Sequence, residues 1–418
     1  MRRVPAIVWL LGLASLFNDV SSEAIFPLLP VWLGLFGGGV AMLGVVEGSA
    51  DAVASVVKVL AGRWSDRGPR RLLVVGGYTL PALARGAIAA ALAPVHVLAA
   101  RLVDRVGKGI RSGPRDALLA DSVAGADTGR AFGVQRSMDH LGAAIGPLLA
   151  SGILLATASL PMERRLRIAF AVAAALGLVA PAVVMAAIPG ASRRREERGA
   201  RAGPASPSAD ADAGRAPAAA PLPAAFWRYL GVAGVFALAN SSDAFLLKKA
   251  SDVGFSPATV PLLWCGHHVL KALTGAPGGA LSDRVPRRWV VAGGWTAYAL
   301  AYGGFALART RWQVAALFGF YALYHGLAEA AERAIVSDAA GPGARGRAYG
   351  WYHGVTGALA LPASAATGWI WERLGSAVAL GTSAALAGTA ALLLAVTSVR
   401  RVPAGAPAAP PARTPGRG

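Results

Sequence analysis

The sequence is short of charge, of acid and of sulfur, and each shortage closes off a class of protein. Only 15% of its residues are charged while 55% are hydrophobic, with a mean hydropathy of +0.50. A soluble chain carries roughly a quarter charged residues, so these 418 residues belong in a bilayer. The single cysteine, Cys265, sits in an apolar run, which excludes a disulfide framework and a thiolate metal site. No H-E-x-x-H spacing accompanies His267, His268 and Asp243, so no dedicated metal site is expected. The phosphate-binding pattern G-x-x-x-x-G-K-S/T is missing, which argues against ATP coupling, and no nucleophile stands beside a base, which argues against an enzyme. No cofactor is expected. Acidic residues are outnumbered 22 to 41, for a net charge of +19. The arginines form short clusters between apolar stretches instead of one basic face, the pattern of membrane flanks and not of a nucleic-acid surface.

Apolar stretches long enough to cross about 30 Å of hydrocarbon as helix recur twelve times, in two sets of six. The first set lies near 6–33, 41–61, 72–93, 95–119, 131–156 and 168–189; the second near 227–247, 258–281, 289–308, 312–335, 348–371 and 376–398. The first stretch follows Arg2 and Arg3 like a secretory leader, but it carries Asn18, Asp19 and Glu23 and lacks a small-residue cleavage site, so it reads as a retained span. Residues 191–223, rich in Ala, Pro, Ser and charge, read as a disordered linker, and 402–418 as a disordered tail. The expected units are therefore a six-helix bundle at 1–190 and a second at 224–401. With a cytoplasmic N-terminus, 26 of the 41 basic residues fall in cytoplasmic segments and eight outside, which puts both termini in the cytoplasm of a bacterial inner membrane. The exceptions are Arg164, Arg165 and Arg167, Lys248 and Lys249, Arg309 and Arg311, and Arg373.

One turn occurs twice. "GRWSDRGPRR" (Gly62 to Arg71) returns 217 positions later as "GALSDRVPRR" (Gly279 to Arg288), each copy joining the second and third spans of its set. The same offset maps Asp121 on Asp338, Gly76 and Gly77 on Gly293 and Gly294, and "GRAFG" (Gly129 to Gly133) on "GRAYG" (Gly346 to Gly350). A constant offset at separated sites marks a tandem duplication of a six-helix unit.

Two parallel six-helix units are the plan of the major facilitator superfamily, and three motifs resemble it. Gly62, Asp66, Arg67, Arg70 and Arg71 match its loop pattern G-x-x-x-D-R-x-G-R-R, with Pro69 in place of the second glycine. "RVGKG" (Arg105 to Gly109) is similar to R-x-x-Q-G, with Lys108 for glutamine. Gly133, Gly142, Gly146 and Pro147 match G-x8-G-x3-G-P, the antiporter pattern of the fifth span, with Ala150 and Ser151 where a glycine pair closes it. "DRVGKGIRSGPRDALLADS" (Asp104 to Ser122) looks like a prokaryotic branch of that family whose substrates are mostly unassigned. The resemblance implies an all-α membrane protein of twelve helices in two pseudo-symmetric halves, with cargo bound between them near the midplane. It also implies a role for Arg105 in proton transfer.

The residues themselves nominate a site. A charge facing lipid at mid-membrane costs about 2.5–3.5 kcal/mol on insertion scales, so the many charges inside spans must pair or face an interior. Asn18, Asp19 and Glu23 lie on the first span, with the two carboxylates one turn apart in the manner of a proton-coupling site. Glu47 and Asp51 repeat that spacing on the second, with Lys58 two turns on as a possible neutraliser. The fourth carries Arg101, Asp104, Arg105 and Lys108; Asp104 is expected to bond Arg101 or Lys108 within its own helix, leaving Arg105 the free cation. The second half contributes Asp243 in "NSSDAF", His268, and His325, Glu329 and Arg333 at four-residue intervals, a proton relay or a self-satisfied stripe. Gating falls to Gly62, Asp66, Arg67 and Arg70, to their repeats Gly279, Asp283, Arg284 and Arg287, and to Arg130, Arg136, Asp139 and Arg347.

The expected function is a secondary transporter, proton-coupled and exporting small organic molecules, monomeric in the bilayer. The alternatives are proton-symport uptake of a small anionic metabolite drawn by Arg101, Arg105 and Lys108, and a membrane sensor or scaffold that moves nothing.

Overall fold

The computed structural model describes residues 5–67, 70–123, 128–187, 221–340 and 344–397. The expected linker residues 191–220 and the tail lie outside them, as do Gly68, Pro69 and residues 124–127. Pro221, Leu222 and Pro223, expected in the linker, are placed, with Leu222 buried against the core.

Helix occupies all twelve expected segments, and no strand occurs among the described residues. The first half contains α1 (Ala6–Ile25), a 3-10 turn (Phe26–Leu28) and α2 (Leu29–Leu35), then α3 (Val40–Arg67), α4 (Arg70–Ala89), α5 (Pro94–Asp121), α6 (Thr128–Ala156), α7 (Met162–Gly177) and α8 (Val179–Ala187). The second contains α9 (Ala224–Ala239), α10 (Ala244–Asp252), α11 (Val260–Arg284), α12 (Arg287–Leu307), α13 (Arg311–Ala340), α14 (Arg345–Leu374) and α15 (Ser376–Val396). Among the described residues, eight spans are long and apolar enough by themselves to cross a membrane. The segments 6–35, 94–121, 260–284 and 345–374 are not among those eight. α5 shows why: its ionic side chains lower the hydropathy, while Arg101 and Asp104 turn inward and pair.

Two corrections concern helix limits. The seventh span is not continuous: α9 and α10 are separated by Asn240–Asp243. The sixth begins at Met162 and not near 168, because "ERRLR" is helical and its arginines serve neighbouring helix ends. Arg165 donates to Leu154 O at 2.6 Å, and Arg167 to Ala89 O at 2.6 Å and Ala91 O at 3.0 Å. These carbonyls end α6 and α4 without intrahelical partners. Arg165 and Arg167 thus cap neighbouring helix ends at that end of the bundle.

The duplication is visible in space. Arg70 Nη1 meets Asp121 Oδ2 at 2.6 Å between α4 and α5, and 217 positions on, Arg287 Nη1 meets Asp338 Oδ2 at 2.7 Å between α12 and α13. Gly77 lets the backbone of Arg111 come so near that a Cβ would lie 2.9 Å from Arg111 Cα; at the same offset Gly294 faces Ala328, 2.9 Å from its Cβ. Only glycine allows helices this close. Each half packs chiefly on itself, and the halves meet where α3 lies along α14 and α6 crosses α11. At the end opposite the basic loops that seam is tied by Ser151 Oγ donating to Ala258 O at 2.7 Å.

Candidate functional site

Between the halves lies a cavity of about 270 Å³. The first half gives it Ser22, Glu23, Glu47, Asp51, Arg105 and Lys108; the second gives Asn240 to Asp243, Trp264, Tyr321, His325 and Ser364. Seven of the sequence-derived site residues therefore come together: Glu23, Glu47, Asp51, Arg105, Lys108, Asp243 and His325. Half-exposed Asp51 and exposed Lys108 show that water reaches this interior.

The break in the seventh span borders the cavity, and its polar residues explain it. Asn, Ser and Asp side chains compete with the helix for backbone groups. Here Ser242 N donates to Ser364 Oγ at 3.1 Å, Ala244 N to Ser242 Oγ at 3.3 Å, and Tyr298 OH to Ala239 O at 3.0 Å. Irregular backbone at membrane depth needs such partners and a cavity to border.

On the first half the charges form a buried ionic network. Arg101 grips Glu47 with two bonds, Nε to Oε1 at 2.9 Å and Nη2 to Oε2 at 2.8 Å, with both side chains at most 3% exposed. Arg101 neutralises Glu47, while Lys58 stands within electrostatic reach of Asp51. Asp104 takes its bond from Arg85 Nε on α4 at 3.0 Å, while Arg101 Nη1 stands 3.6 Å from it, so its main partner is not on its own helix. Arg85 also donates to Asn18, to the backbone O at 3.1 Å and the side-chain Oδ1 at 3.3 Å. Arg101, Asp104 and Asn18 thus form the cavity's wall and not its lining. Arg105 is not wholly free, since its Nη2 lies 3.9 Å from Glu47 Oε2 and 3.8 Å from Asp51 Oδ1.

On the second half the lining is aromatic. Trp264 Nε1 donates to Glu23 Oε2 at 2.9 Å, and His268 Nε2 stands 3.6 Å from the same oxygen. Tyr321 OH donates to Asp243 Oδ1 at 2.7 Å. His325 packs against Tyr321, Tyr324 and His267, with ring centroids 4.7–5.3 Å apart. Glu329 is not satisfied by its own helix alone: it draws Arg136 of α6 at 2.8 Å, Arg333 at 2.9 Å and Lys271 of α11 at 3.4 Å. The Arg136 contact joins the two halves. Among the described residues no three His, Cys, Asp or Glu side chains converge as a metal would need.

The glycines of α6 divide. A Cβ on Gly142 would lie 2.6 Å from Leu16 O and 3.0 Å from Asp19 Cβ, and one on Gly146 would lie 2.5 Å from Val20 O, so both seat α1 against α6. Gly133 meets nothing within 4 Å and is no close-approach position. Pro147 is buried beside them. Asp19 accepts from Asn18 Nδ2 at 2.8 Å and stands within electrostatic reach of Asp139, whose Oδ1 is buried without a hydrogen bond. Of the repeated turns, Gly62, Asp66 and Arg67 have described backbone only, continuing α3. Asp283 and Arg284 are exposed, as are Arg130 and Arg347, and Gly279 meets nothing within 4 Å.

Sequence reading missed Arg85, because a lone arginine in an otherwise apolar span carries no motif. It also missed Trp264, which looks like an ordinary lipid-facing or core aromatic until its indole N–H finds Glu23.

The descriptive model of the Major Facilitator Superfamily matches residues 11–265 and 229–417. An MFS-type transporter of Methanocaldococcus jannaschii is 27% identical over 380 residues, covering 89% of this chain and 90% of that one. An uncharacterized protein of Mycobacterium tuberculosis is 27% identical over 374 residues, covering 87% of this chain and 86% of its own. Among solved structures, a bacterial homolog of the human lysosomal transporter Spinster, inward-facing and occupied, aligns with a TM-score of 0.71 at 15% identity over 95% of this chain and 98% of that one. The nucleoside transporter NupG aligns with a TM-score of 0.72 at 13% identity over 94% and 99%. At such identities the structures establish the fold, while the family match spans the apolar helices of both halves. This multi-pass membrane protein therefore belongs to the major facilitator superfamily of membrane transport proteins and is not an enzyme.

Proposed function

We propose that the protein is a secondary active transporter that works by alternating access, with protons as its coupling ion and a small organic molecule as its cargo. The observation that carries this reading is the polar cavity built from both halves where they meet, with Asp51 and Lys108 exposed at it and the seam between the halves tied at one end by the Ser151–Ala258 bond. Such a site is exposed alternately when repeat units rock about it. In this reading twelve helices cross the membrane, the units 1–190 and 224–401 move as bundles, and both termini face the cytoplasm of a bacterial inner membrane. The protein acts as a monomer.

Asp19 and Asp139 are the proton carriers in this proposal. Asp19 packs against α6 at Gly142, and Asp139, on that same helix, buries an Oδ1 that has no hydrogen bond. The α1–α6 seam coincides with the antiporter pattern, which supports export. The bridge from Arg136 to Glu329 acts as a latch between halves, broken and remade in each cycle. That NupG carries nucleosides on the same fold supports a small organic cargo.

The test is flux in liposomes loaded with a pH dye and offered a library of small organic compounds. A substrate-dependent pH change, lost in Asp19→Asn and in Asp139→Asn, is expected, with protons moving against the substrate. Protons moving with it would make the protein a symporter. Normal coupled flux in both variants would remove the carboxylate pair from the mechanism, and no flux from the wild type across the library would favour a sensor or scaffold.

A further inference from the structure

The cavity holds a guanidinium that the protein itself does not hydrogen-bond. α5 offers three cations on one side, at Arg101, Arg105 and Lys108. Arg101 is spent on Glu47. Arg105 lines the cavity and is only 9% exposed, yet its Nε is buried with no partner. Its Nη2 stands 3.9 Å and 3.8 Å from Glu47 and Asp51, near enough for attraction and too far for a hydrogen bond. One turn on, Lys108 lines the cavity, is exposed to it, and makes no ion pair among the described residues.

The acceptors opposite are mostly engaged. Glu47 is held by Arg101, Glu23 by the Trp264 indole, and Asp243 by the Tyr321 hydroxyl. Asp51 is the exception, half exposed and facing Arg105. Among the charged side chains described at the cavity, Arg105 alone buries a polar atom with no hydrogen bond, and a guanidinium has five N–H groups in a planar fork where an ammonium has three. That fork fits a planar or tetrahedral oxyanion better than any other small ligand group.

We infer that Arg105 and Lys108 form the subsite for an anionic group of the cargo, a carboxylate, phosphate or sulfonate on a small organic molecule. The carbon part of the molecule rests on the Phe26–Trp264 pair, whose rings lie 5.3 Å apart at the same cavity. Arg101, which the sequence groups with these two, takes no part. The inference names the cargo class of the site proposed above and rests on that reading for its biological use.

The test reads the electrostatics of the cavity and needs neither a known cargo nor transport. Ser22 lines the cavity and makes no side-chain hydrogen bond that its replacement would break among the described residues. In a Cys265→Ala background, the full-length Ser22→Cys variant in nanodiscs is treated with anionic methanethiosulfonate ethylsulfonate or cationic methanethiosulfonate ethyltrimethylammonium. Rates are followed by mass and normalised to a free thiol. The anionic reagent is expected to react faster, by about tenfold, with the preference lost in Arg105→Gln, reduced in Lys108→Gln and kept in Arg105→Lys. The lysine variant retains charge and guards against a folding artefact.

A preference for the cationic reagent overturns the proposal, as does a preference that Arg105→Gln leaves unchanged. A cysteine that neither reagent reaches also overturns it, since an anion then has no route to Arg105. An anion-selective cavity in a protein that moves nothing would sink the transport reading alone, and transport through a cavity without anion preference would sink this inference alone.

Discussion

The two halves share a scaffold and differ in chemistry. At the 217-residue offset, the buried pair Arg85–Asp104 of the first half becomes Tyr302 and Tyr321, whose rings pack edge to face with centroids 5.9 Å apart. Glu47 and Arg101 become Trp264 and Phe318, and Lys108 becomes His325. Near the basic-loop end Arg115, which bonds Ser15 at 3.0 Å, is replaced by Glu332, which accepts from Trp295 at 2.6 Å and Tyr352 at 2.8 Å. What the duplication kept is the glycine contact and the loop-end ion pair; what it let go is the interior. Backbone spacing fixes how helices cross, so small residues resist change. Interior partners change freely provided both members change together, because only a lone buried charge is costly.

The contrast breaks most visibly at its ionic members. Arg85→Met leaves Asp104, 2% exposed, without its main partner, and should cost about 3–5 kcal/mol. Tyr302→Phe at the repeated position keeps the ring packing and should cost under about 1.5 kcal/mol. Denaturant unfolding in detergent compares the two; equal losses would end the distinction between an ionic and an aromatic half.

Replacing the whole pair sharpens the point. The double variant Arg85→Tyr with Asp104→Tyr, which copies the second half into the first, should recover most of the loss from Arg85→Met, since a buried ion pair exchanged for packed apolar groups is near neutral. A double variant no more stable than Arg85→Met would mean that the surrounding helices, and not the pair, differ between halves.

A steric member follows. The offset places Leu359 where the first half has Gly142. Gly142→Leu should cost about 1–3 kcal/mol through overpacking against α1 and should abolish flux, because its Cβ falls 2.6 Å from Leu16 O. Proteoliposome flux and thermal unfolding read both effects, and retained flux would remove the α1–α6 seam from the cycle.

The smallest effect tests what the halves share. Arg70→Gln and Arg287→Gln each remove a partly exposed ion pair, with exposures of 28%/68% and 22%/24%. Each should cost no more than about 1 kcal/mol in stability. Both should change the exchange rate between conformations alike, as single-molecule distance measurements across the loop ends would record. A one-sided effect would show that only one copy of the turn works as a gate.

Much of the fold was legible because its signals are local. Hydropathy located segments that the described residues show as helix, and the repeated turn located the ion pairs that recur at the same offset. The site was legible as a set of residues and less so as an arrangement. Glu23, Glu47, Asp51, Arg105, Lys108, Asp243 and His325 stood out as charges where lipid forbids them, and they do meet at one cavity. Asp19 stood out by the same logic but packs at the α1–α6 seam instead. The seventh span's polar run "NSSD" was seen, yet its unwinding was not, because a helix breaks there only if Ser364 and Tyr298 from other helices take up the released backbone groups.

The sequence by itself determined that this chain lives in a membrane, that its motifs repeat at a constant offset, and which of its groups are too polar to face lipid. Composition, periodicity and a constant offset are properties of the chain, so no contact is needed to read them. Only the tertiary structure decided who pairs with whom. It gave Glu47 to Arg101 across 54 positions, Asp104 to Arg85 across 19 and Glu329 to Arg136 across 193, and it left Arg105 unbonded in the cavity. The physical reason is the shortness of a hydrogen bond. A reach of about 3 Å is fixed by how helices cross and rotate against one another, and helix rotation is set by packing over the whole bundle.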